Sequence, residues 1–472
     1  MQKRTRRALI WLALIFAVGV GAVVVIGMTA SRRDSAAARR LREHGQAAVA
    51  RYEAQFPGEK APVQPTPGAS AESDVPSAAP STEEEEDRSS ASPAAFILFE
   101  KLRQEVESLE AEEDQDLQKL LEKDWSEWTE DDFRRLAEFL GPHADLVEEI
   151  RRLARLGEPV YRVDLSEGYE AELPHLAPLR NMARLLSRDA ALRVRAGDLE
   201  GAMEDYRAII GLSETLVEEP LIISQLVRIA MTQIMFESMG TVLPPGQVSF
   251  DEARAFVAET ADFYHREALV DALLAETTFG FRAMDEYYGG AEPVAFDISD
   301  STVANMFLSV LYDASMADIM LTTDQQDYSE FMERLSEAAK APYYETWREL
   351  EAIEADLDDA SGLLAPAFVV ALTRVPIAQA RNEAMLDLVR IGLSLEAQYA
   401  ETGSYPDNLN AVARDLGGTV PVDPFTGESY VYKPDGDTFT LYSVGQNEQD
   451  DGGRFNYREG DIVWRGVKEK LE

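Results

Sequence analysis

The sequence contains no cysteine, so disulfide bonds, thiol nucleophiles and thiolate metal sites are all excluded. Histidine is scarce, and none of the four residues forms an HExxH pair or another spacing that would hold zinc. GxSxG, P-loop and GxGxxG motifs are also missing. The histidines are His44, His143, His175 and His265. We therefore predict that the protein has no catalytic residues and is not an enzyme.

Basic residues are outnumbered, with 45 lysines and arginines against 86 acidic residues and a net charge of −41. Residues 1–44 alone are basic and carry a net charge of +7, which leaves −48 on the remainder. A body this acidic repels polyanions, so nucleic acid is excluded as a partner. Two explanations stay open: solubility in a salty or divalent-rich medium, and specific binding of cations.

Charge is completely absent from Ala8–Ala30, a run of 23 residues. At 1.5 Å per residue, such a helix spans a bilayer of about 30 Å. Met28-Thr29-Ala30 is a poor cleavage site, so we predict a retained signal anchor. The long acidic remainder is expected to translocate largely regardless of flanking charge. We therefore predict a single-pass protein of the bacterial inner (cytoplasmic) membrane whose bulk faces the periplasm or the exterior.

The segment that follows the anchor changes character twice. Ala36–Gln55 has the pattern of a polar helix above the membrane. Residues 57–95 hold seven prolines, many Ser and Ala residues and an acidic run, so they bury too little apolar surface to fold. We predict that they form a disordered spacer.

Helical periodicity dominates from Phe96 to about Val375. The pattern predicts an apolar face on the first helix, an N-cap at Thr129 and a break at Gly197-Asp198. Further helices are predicted over Ala177–Ala196, Ala202–Pro220, Leu221–Leu243, Phe250–Phe279, Asn305–Met320 and a buried Gly362–Leu372, and an acidic amphipathic helix pair is predicted over Gln325–Asp359. Gly197, Ala202 and Tyr206 resemble half of a tetratricopeptide unit, and a generic helical hairpin is the alternative because no second copy follows.

The C-terminal hundred residues switch from helical to strand periodicity. A helix over Glu383–Ala400 is followed by Gly403 as its C-cap. Two aromatic-rich runs, Ser429–Lys433 and Thr438–Val444, flank a turn at Pro434-Asp435-Gly436-Asp437. Ile462–Trp464 is predicted to return as a third strand. The predicted fold is therefore mainly α, with a small C-terminal α+β module whose strands form an antiparallel meander.

Residues 376–466 carry a series of short motifs in a fixed order. They are Tyr399-x3-Gly403-x-Tyr405-Pro406, Asp423-Pro424-x2-Gly427, Leu441-Tyr442-Ser443-x-Gly445, Asp450-Asp451-Gly452-Gly453 and Gly460-Asp461-Ile462. In order and spacing the stretch resembles the C-terminal domain of the major pseudopilin of type II secretion. The N-terminal anchor departs from that family, since it lacks both the cleavage site and the acidic residue of the apolar helix. The resemblance therefore implies a C-terminal module, without implying assembly into a pilus.

The loop between the last two strands is rich in oxygen ligands. Ca²⁺ prefers six to eight oxygens from carboxylates, amides and backbone carbonyls on a flexible loop. Asn447, Asp450, Asp451 and Asp461 supply such a set. Since major pseudopilins bind calcium in the corresponding loop, the resemblance implies a site at Asp450 or Asp451 together with Asp461. A water-solvated Asx-rich turn is the alternative.

Together these features predict a non-catalytic, membrane-anchored cell-envelope scaffold that presents a helical domain and a pseudopilin-like module to protein partners. Two alternatives are an accessory subunit of a type II secretion or pilus-like machine and an enzyme with an unrecognised site in the helical domain. A small-molecule substrate is not expected. The predicted boundaries are 1–7 for a basic tail, 8–30 for the anchor, 31–56 for the juxtamembrane helix, 57–95 for the linker, 96–375 for the helical domain and 376–472 for the module.

Overall fold

The computed structural model describes residues 36–56, 93–112, 115–121, 123, 125–289, 314–453 and 460–465. Within them the chain is mainly helical, with one three-stranded antiparallel sheet near the C-terminus, as predicted. The predicted anchor at 8–30 and most of the predicted linker lie outside the described residues, as do the start of the helix predicted from Asn305 and most of the loop before it.

The helices are α1 Ala36–Glu53, α2 Pro93–Glu112, α3 Gln115–Leu121, α4 Glu130–Leu140, α5 Ala144–Leu156, α6 Leu176–Ala196, α7 Leu199–Glu214, α8 Ile222–Val242, α9 Phe250–Glu259, α10 Arg266–Gly289, α11 Ala314–Ala338, α12 Tyr343–Leu357, α13 Ala365–Leu372 and α14 Val375–Thr402. Short 3₁₀ turns occupy Trp125–Glu127, Gly141–His143, Leu165–Glu170 and Leu409–Val412. The strands are β1 Val431–Asp435, β2 Thr438–Ser443 and β3 Ile462–Arg465.

The described residues form two compact units, each assembled from separate stretches of chain. Among the described residues, the smaller unit draws on 36–48, 273–289, 314–338 and 348–374, and the larger unit on the rest. This division differs from the predicted domains, because the helical residues and the C-terminal module share one core in the larger unit.

Helix α14 is the centre of the larger unit. Every residue from Asn382 to Ala397 is buried, and the helix packs against α8 and α9 as well as against β2 and β3. The sheet has the order β1-β2-β3, with antiparallel pairing throughout and a register shift at Leu441/Tyr442. A helix that is covered on all faces joins the module to the scaffold, which explains why the two are not separate units.

Local signals placed several helices correctly. The Thr129 side chain and Asp132 form a reciprocal capping box at the start of α4. Gly197 has a φ of 79° and ends α6 at the predicted break, and Gly403 has a φ of 75° just after α14. Phe99, Leu102 and Val106 of α2 are buried, as their spacing predicts.

Three local predictions need correction. The helix predicted over Phe250–Phe279 is two helices, because the chain turns between α9 and α10, where His265 takes a φ of 46°. Pro434 lies within β1 opposite Phe439, so the hairpin turn is the tighter Asp435–Thr438 connection centred on Gly436. The stretch Gly362–Leu372 is only partly buried, since Leu363 and Val370 are more than half exposed.

Helix α1 is present where a polar helix was predicted, yet its apolar residues are covered. Leu41 and Ala48 are buried in the smaller unit, and Tyr52 and Phe56 are buried in the larger one. In contrast to a free juxtamembrane segment, this helix contributes to the cores of the folded units.

Candidate functional site

The predicted calcium loop is held together by its own hydrogen bonds. Asp461 is fully buried, and its carboxylate accepts the N–H groups of Asp451 at 3.3 Å and of Gly453 at 2.6 Å. Asp450 accepts the Tyr442 hydroxyl at 2.6 Å and the N–H of Gly452 at 2.9 Å. The loop therefore brings Asp450, Asp451 and Asp461 to one end of the sheet.

Asn447 fits a cation site less well. Its Oδ1 accepts the N–H of Gln449 at 3.0 Å, which orients its Nδ2 group towards the Asp451 carboxylate at 3.1 Å. This geometry presents a donor where a cation would need an acceptor. Within the described residues, no group of three or more acidic, histidine or cysteine side chains is arranged to hold a metal ion. Calcium binding at Asp450, Asp451 and Asp461 stays a prediction, with Asn447 its weakest member.

The electrostatics of the loop depend on burial. Burial raises the pKa of Asp461, and the nearby charges of Asp451 and Asp450 act in the same direction. The Tyr442 hydroxyl bond lowers the pKa of Asp450. A buried carboxylate beside two other acids is a position where a bound cation would relieve repulsion.

Asp423 of the Asp-Pro turn has a structural role. Its carboxylate accepts the N–H of Phe425 at 3.0 Å and that of Val444 at 3.3 Å, so it ties its own turn to the end of β2. Phe425 is buried in the core beside Tyr343. The motif therefore fixes the corner of the module. We assign the Asp423 carboxylate this structural role and no role in binding or catalysis.

A cleft of about 1040 Å³ opens in the larger unit, away from the acidic loop. One wall comes from the start of α10 and the residues before it, another from the Lys340–Tyr344 segment, and a third from the turn at Pro421–Pro424. Helix α14 lies at its base and contributes Glu383 and Asp387. The cleft thus gathers side chains from four distant parts of the chain.

The base of the cleft is a buried polar relay. Asp387 is 5% exposed, and its carboxylate accepts the hydroxyl of Tyr430 at 2.8 Å and that of Tyr264. Arg390 Nη1 donates to the Tyr264 hydroxyl at 2.6 Å. Two neutral hydroxyl groups therefore donate directly to the carboxylate, whereas the Arg390 guanidinium is linked to it through the Tyr264 hydroxyl.

This environment shifts the titration of Asp387. Burial raises its pKa to about 7, although the two tyrosine hydroxyls and the Arg390 charge favour the ionised form. The pKa of Tyr264 is also raised, mainly by burial and then by the Asp387 charge. A carboxyl group that titrates near neutrality at the base of a cleft is typical of functional sites.

The other charges of the cleft are largely paired. Arg266 holds Glu383 in a two-point ion pair, with its Nε 2.9 Å from Oε1 and its Nη2 2.5 Å from Oε2. Arg51 forms an ion pair with Asp271, with its Nη2 2.6 Å from Oδ1. Within the part of the chain that the structure describes, Asp387 and Glu267 have no ion pair. Lys340 also lines the cleft, so three cations face four acids, and the surplus is one negative charge when Asp387 is ionised.

Helix α14 carries one local signal of this site. Glu383, Asp387 and Arg390 recur at positions i, i+4 and i+7 of a helix whose intervening residues, from Ala384 to Val389, are otherwise apolar. Charged groups on a buried helix need partners, so this spacing indicates a polar cluster inside the core. Tyr264 and Tyr430 come from distant segments and carry no such local signal.

Comparisons with protein-family models, curated proteins and solved structures each find no match to this chain. None of the described helices combines the length and apolar character needed to cross a membrane.

Proposed function

We propose that this chain is a non-catalytic, membrane-anchored scaffold of a bacterial cell envelope. The uncharged run at 8–30 holds it in the inner membrane, and the folded units present binding surfaces to protein partners in the periplasm or outside the cell. The observation that supports this most is the burial of Asn382–Ala397, because it joins the C-terminal module to the helices of the larger unit in one core.

The topology is tested by chymotrypsin treatment of spheroplasts that contain the full-length chain. We expect the folded units to be digested without lysis, while a cytoplasmic marker enzyme survives. Protection of the chain until the membrane is broken would sink the proposal.

The alternative of an accessory subunit in a type II secretion or pilus-like machine keeps the same topology. It is supported by the resemblance of residues 376–466 to the pseudopilin domain and by the predicted Ca²⁺ site at Asp450, Asp451 and Asp461. Affinity purification from membranes separates the two: secretin or platform components in the eluate favour the machine, and their absence favours a freestanding scaffold.

A second candidate function is ligand binding or catalysis in the cleft, which the position of Asp387 favours. A carboxyl group with a pKa of about 7 beside two tyrosine hydroxyls is suited to proton transfer or to binding a cation. Both arginines of the cleft are already held in ion pairs, so binding accounts for the geometry more simply than catalysis does.

A further inference from the structure

The cleft of the larger unit has the features of a binding site for one positive charge. Its two guanidinium groups are each held by an acid, Arg266 by Glu383 and Arg51 by Asp271. Asp387 at the base and Glu267 at the rim are left without an ion pair in the described chain. With Lys340 counted, four acids face three cations in the lining, so a cation that binds there meets one uncompensated negative charge when Asp387 is ionised and displaces neither arginine ion pair.

Apolar side chains form one part of the walls above the base. Pro342, Pro421 and Pro424 line them together with Tyr344 and Val422. Val422 is 44% exposed, one of the few large apolar side chains that the folded units leave open. Such walls gain from covering the aliphatic part of a ligand, and their proline and aromatic rings lose little conformational entropy when they do so.

The base of the cleft is also preorganised. The Tyr264 hydroxyl donates to Asp387 and accepts from Arg390, and the Tyr430 hydroxyl donates to the other Asp387 oxygen at 2.8 Å. Each carboxylate oxygen keeps acceptor capacity for a further donor. The two tyrosine hydroxyls already hold the carboxylate in one orientation. Binding of an ammonium group therefore does not cost the conformational entropy of ordering it.

We propose that this cleft binds a protonated primary amine carried on an aliphatic stem, with Asp387 as its counter-ion and Glu267 as a second, outer acid. The stem lies along Val422 and the prolines. A lysine side chain of a partner polypeptide and a free small-molecule amine share this chemistry. If a partner polypeptide supplies the lysine, the inference rests on the proposed scaffold function. If the ligand is a free amine, the inference concerns the cleft alone.

The test measures binding to the purified full-length chain by isothermal titration calorimetry at pH 8. The probes are the capped peptide acetyl-Ala-Pro-Lys-Pro-Ala-amide, its twin with norleucine in place of lysine, and n-pentylamine. We expect the lysine peptide to bind at least tenfold more tightly than the norleucine twin. Binding of n-pentylamine as tight as that of the lysine peptide identifies a free amine as the ligand, whereas weaker binding identifies a polypeptide.

Variants link this binding to the cleft. Asp387→Asn should weaken lysine-peptide binding about tenfold to a hundredfold, the loss expected for a charge-assisted hydrogen bond. Asp324→Asn is the matched control, since Asp324 is also fully buried and accepts a tyrosine hydroxyl and backbone N–H groups, but in the smaller unit. It should leave binding unchanged.

Glu267→Gln keeps the test decisive if Asp387→Asn does not fold. This residue is exposed at the rim, so its replacement should weaken binding severalfold without affecting stability. Equal affinity for the lysine and norleucine peptides, no binding of any probe, or unchanged binding in both variants would overturn the proposal. Because purified protein is used, these outcomes do not depend on membrane topology, and a failed topology test remains distinguishable.

Discussion

The backbone N–H of Val163 donates a hydrogen bond to the hydroxyl of Tyr52 at 2.8 Å, although 111 positions separate the two residues in the chain. Both are buried in the larger unit. The residues just after the predicted anchor therefore take part in the core, and fragments that begin after the predicted linker lack them.

Replacing Tyr52 with phenylalanine tests this contact. Tyr52→Phe keeps the ring and leaves the buried N–H of Val163 without its acceptor, so the free energy of unfolding should fall by about 1–3 kcal/mol. Urea unfolding followed by circular dichroism measures the change. Tyr287→Phe, at a side chain that is 57% exposed, is the control and should change stability by less than about 0.5 kcal/mol. Equal effects would contradict the structural role of α1.

A second prediction concerns two buried arginines with opposite surroundings. Arg228 is fully buried, and its Nε donates a hydrogen bond to Oε1 of Gln225 at 2.9 Å. Neither terminal nitrogen of its guanidinium has a hydrogen-bond partner in the described chain. Burial lowers its pKa to about 10. Arg228→Met should therefore raise the free energy of unfolding by about 1–3 kcal/mol, because it removes the cost of an unpaired buried charge.

Arg151→Met is the matched comparison. Arg151 is also buried, but its guanidinium is paired with Asp205, Asp189 and Glu148. Its loss leaves the buried Asp205 with only the longer 3.5 Å contact to Arg193 among the ion pairs of the described chain, so stability should fall by about 3–5 kcal/mol. Both changes are measured as shifts in the urea midpoint. Destabilisation of similar size in the two variants would show that the Arg228 guanidinium is satisfied after all.

The raised pKa of Asp387 predicts a pH dependence of stability. Its value of about 7 in the native state lies above the ordinary value of about 3.9 expected in the unfolded chain. Between these pH values the native state keeps a proton that the unfolded state has lost, so the free energy of unfolding falls as pH rises, at up to about 1.4 kcal/mol per pH unit. Above pH 7 this contribution is constant.

Asp387→Asn isolates that contribution. The variant has no proton to lose at this position, so its stability should decline less than that of the wild type between pH 5 and pH 7. Asp205, whose pKa burial raises to about 8, is present in both proteins and cancels in the comparison. A stability difference between the two proteins that is the same at pH 5 and pH 7 would contradict a raised pKa.

Sequence reasoning was most successful where a single residue type determines local structure. The Thr129 capping box, the glycines after α6 and α14 and the return of Ile462–Trp464 as a strand all follow from local rules. It failed at His265, because no sequence signal marks a histidine with positive φ; its ring contacts Glu214 at 2.7 Å, from a helix 51 positions earlier. The cleft was not predicted either, because its acids and tyrosines come together only through tertiary packing.

Calcium binding by the acidic loop is a further prediction. A cation held only by the native state stabilises it by about 2.7 kcal/mol at a hundredfold excess over its dissociation constant. Thermal unfolding of the full-length chain in Ca²⁺ should therefore occur at a higher temperature than in EDTA or in Mg²⁺. Asp451→Asn should abolish the rise because it removes one of the proposed carboxylate ligands, whereas Asp437→Asn in the hairpin should not. A rise that survives Asp451→Asn would place the cation elsewhere.

The most direct test of the account uses the absence of cysteine. A single Glu351→Cys substitution, at an exposed position of α12, and a Gln2→Cys substitution before the predicted anchor provide two unique labels in otherwise thiol-free chains. Spheroplasts are treated with a membrane-impermeant maleimide before and after lysis. We predict labelling of the Glu351→Cys chain without lysis and of the Gln2→Cys chain only after it. Protection of the Glu351→Cys chain until lysis would contradict an anchored protein whose folded units face outwards.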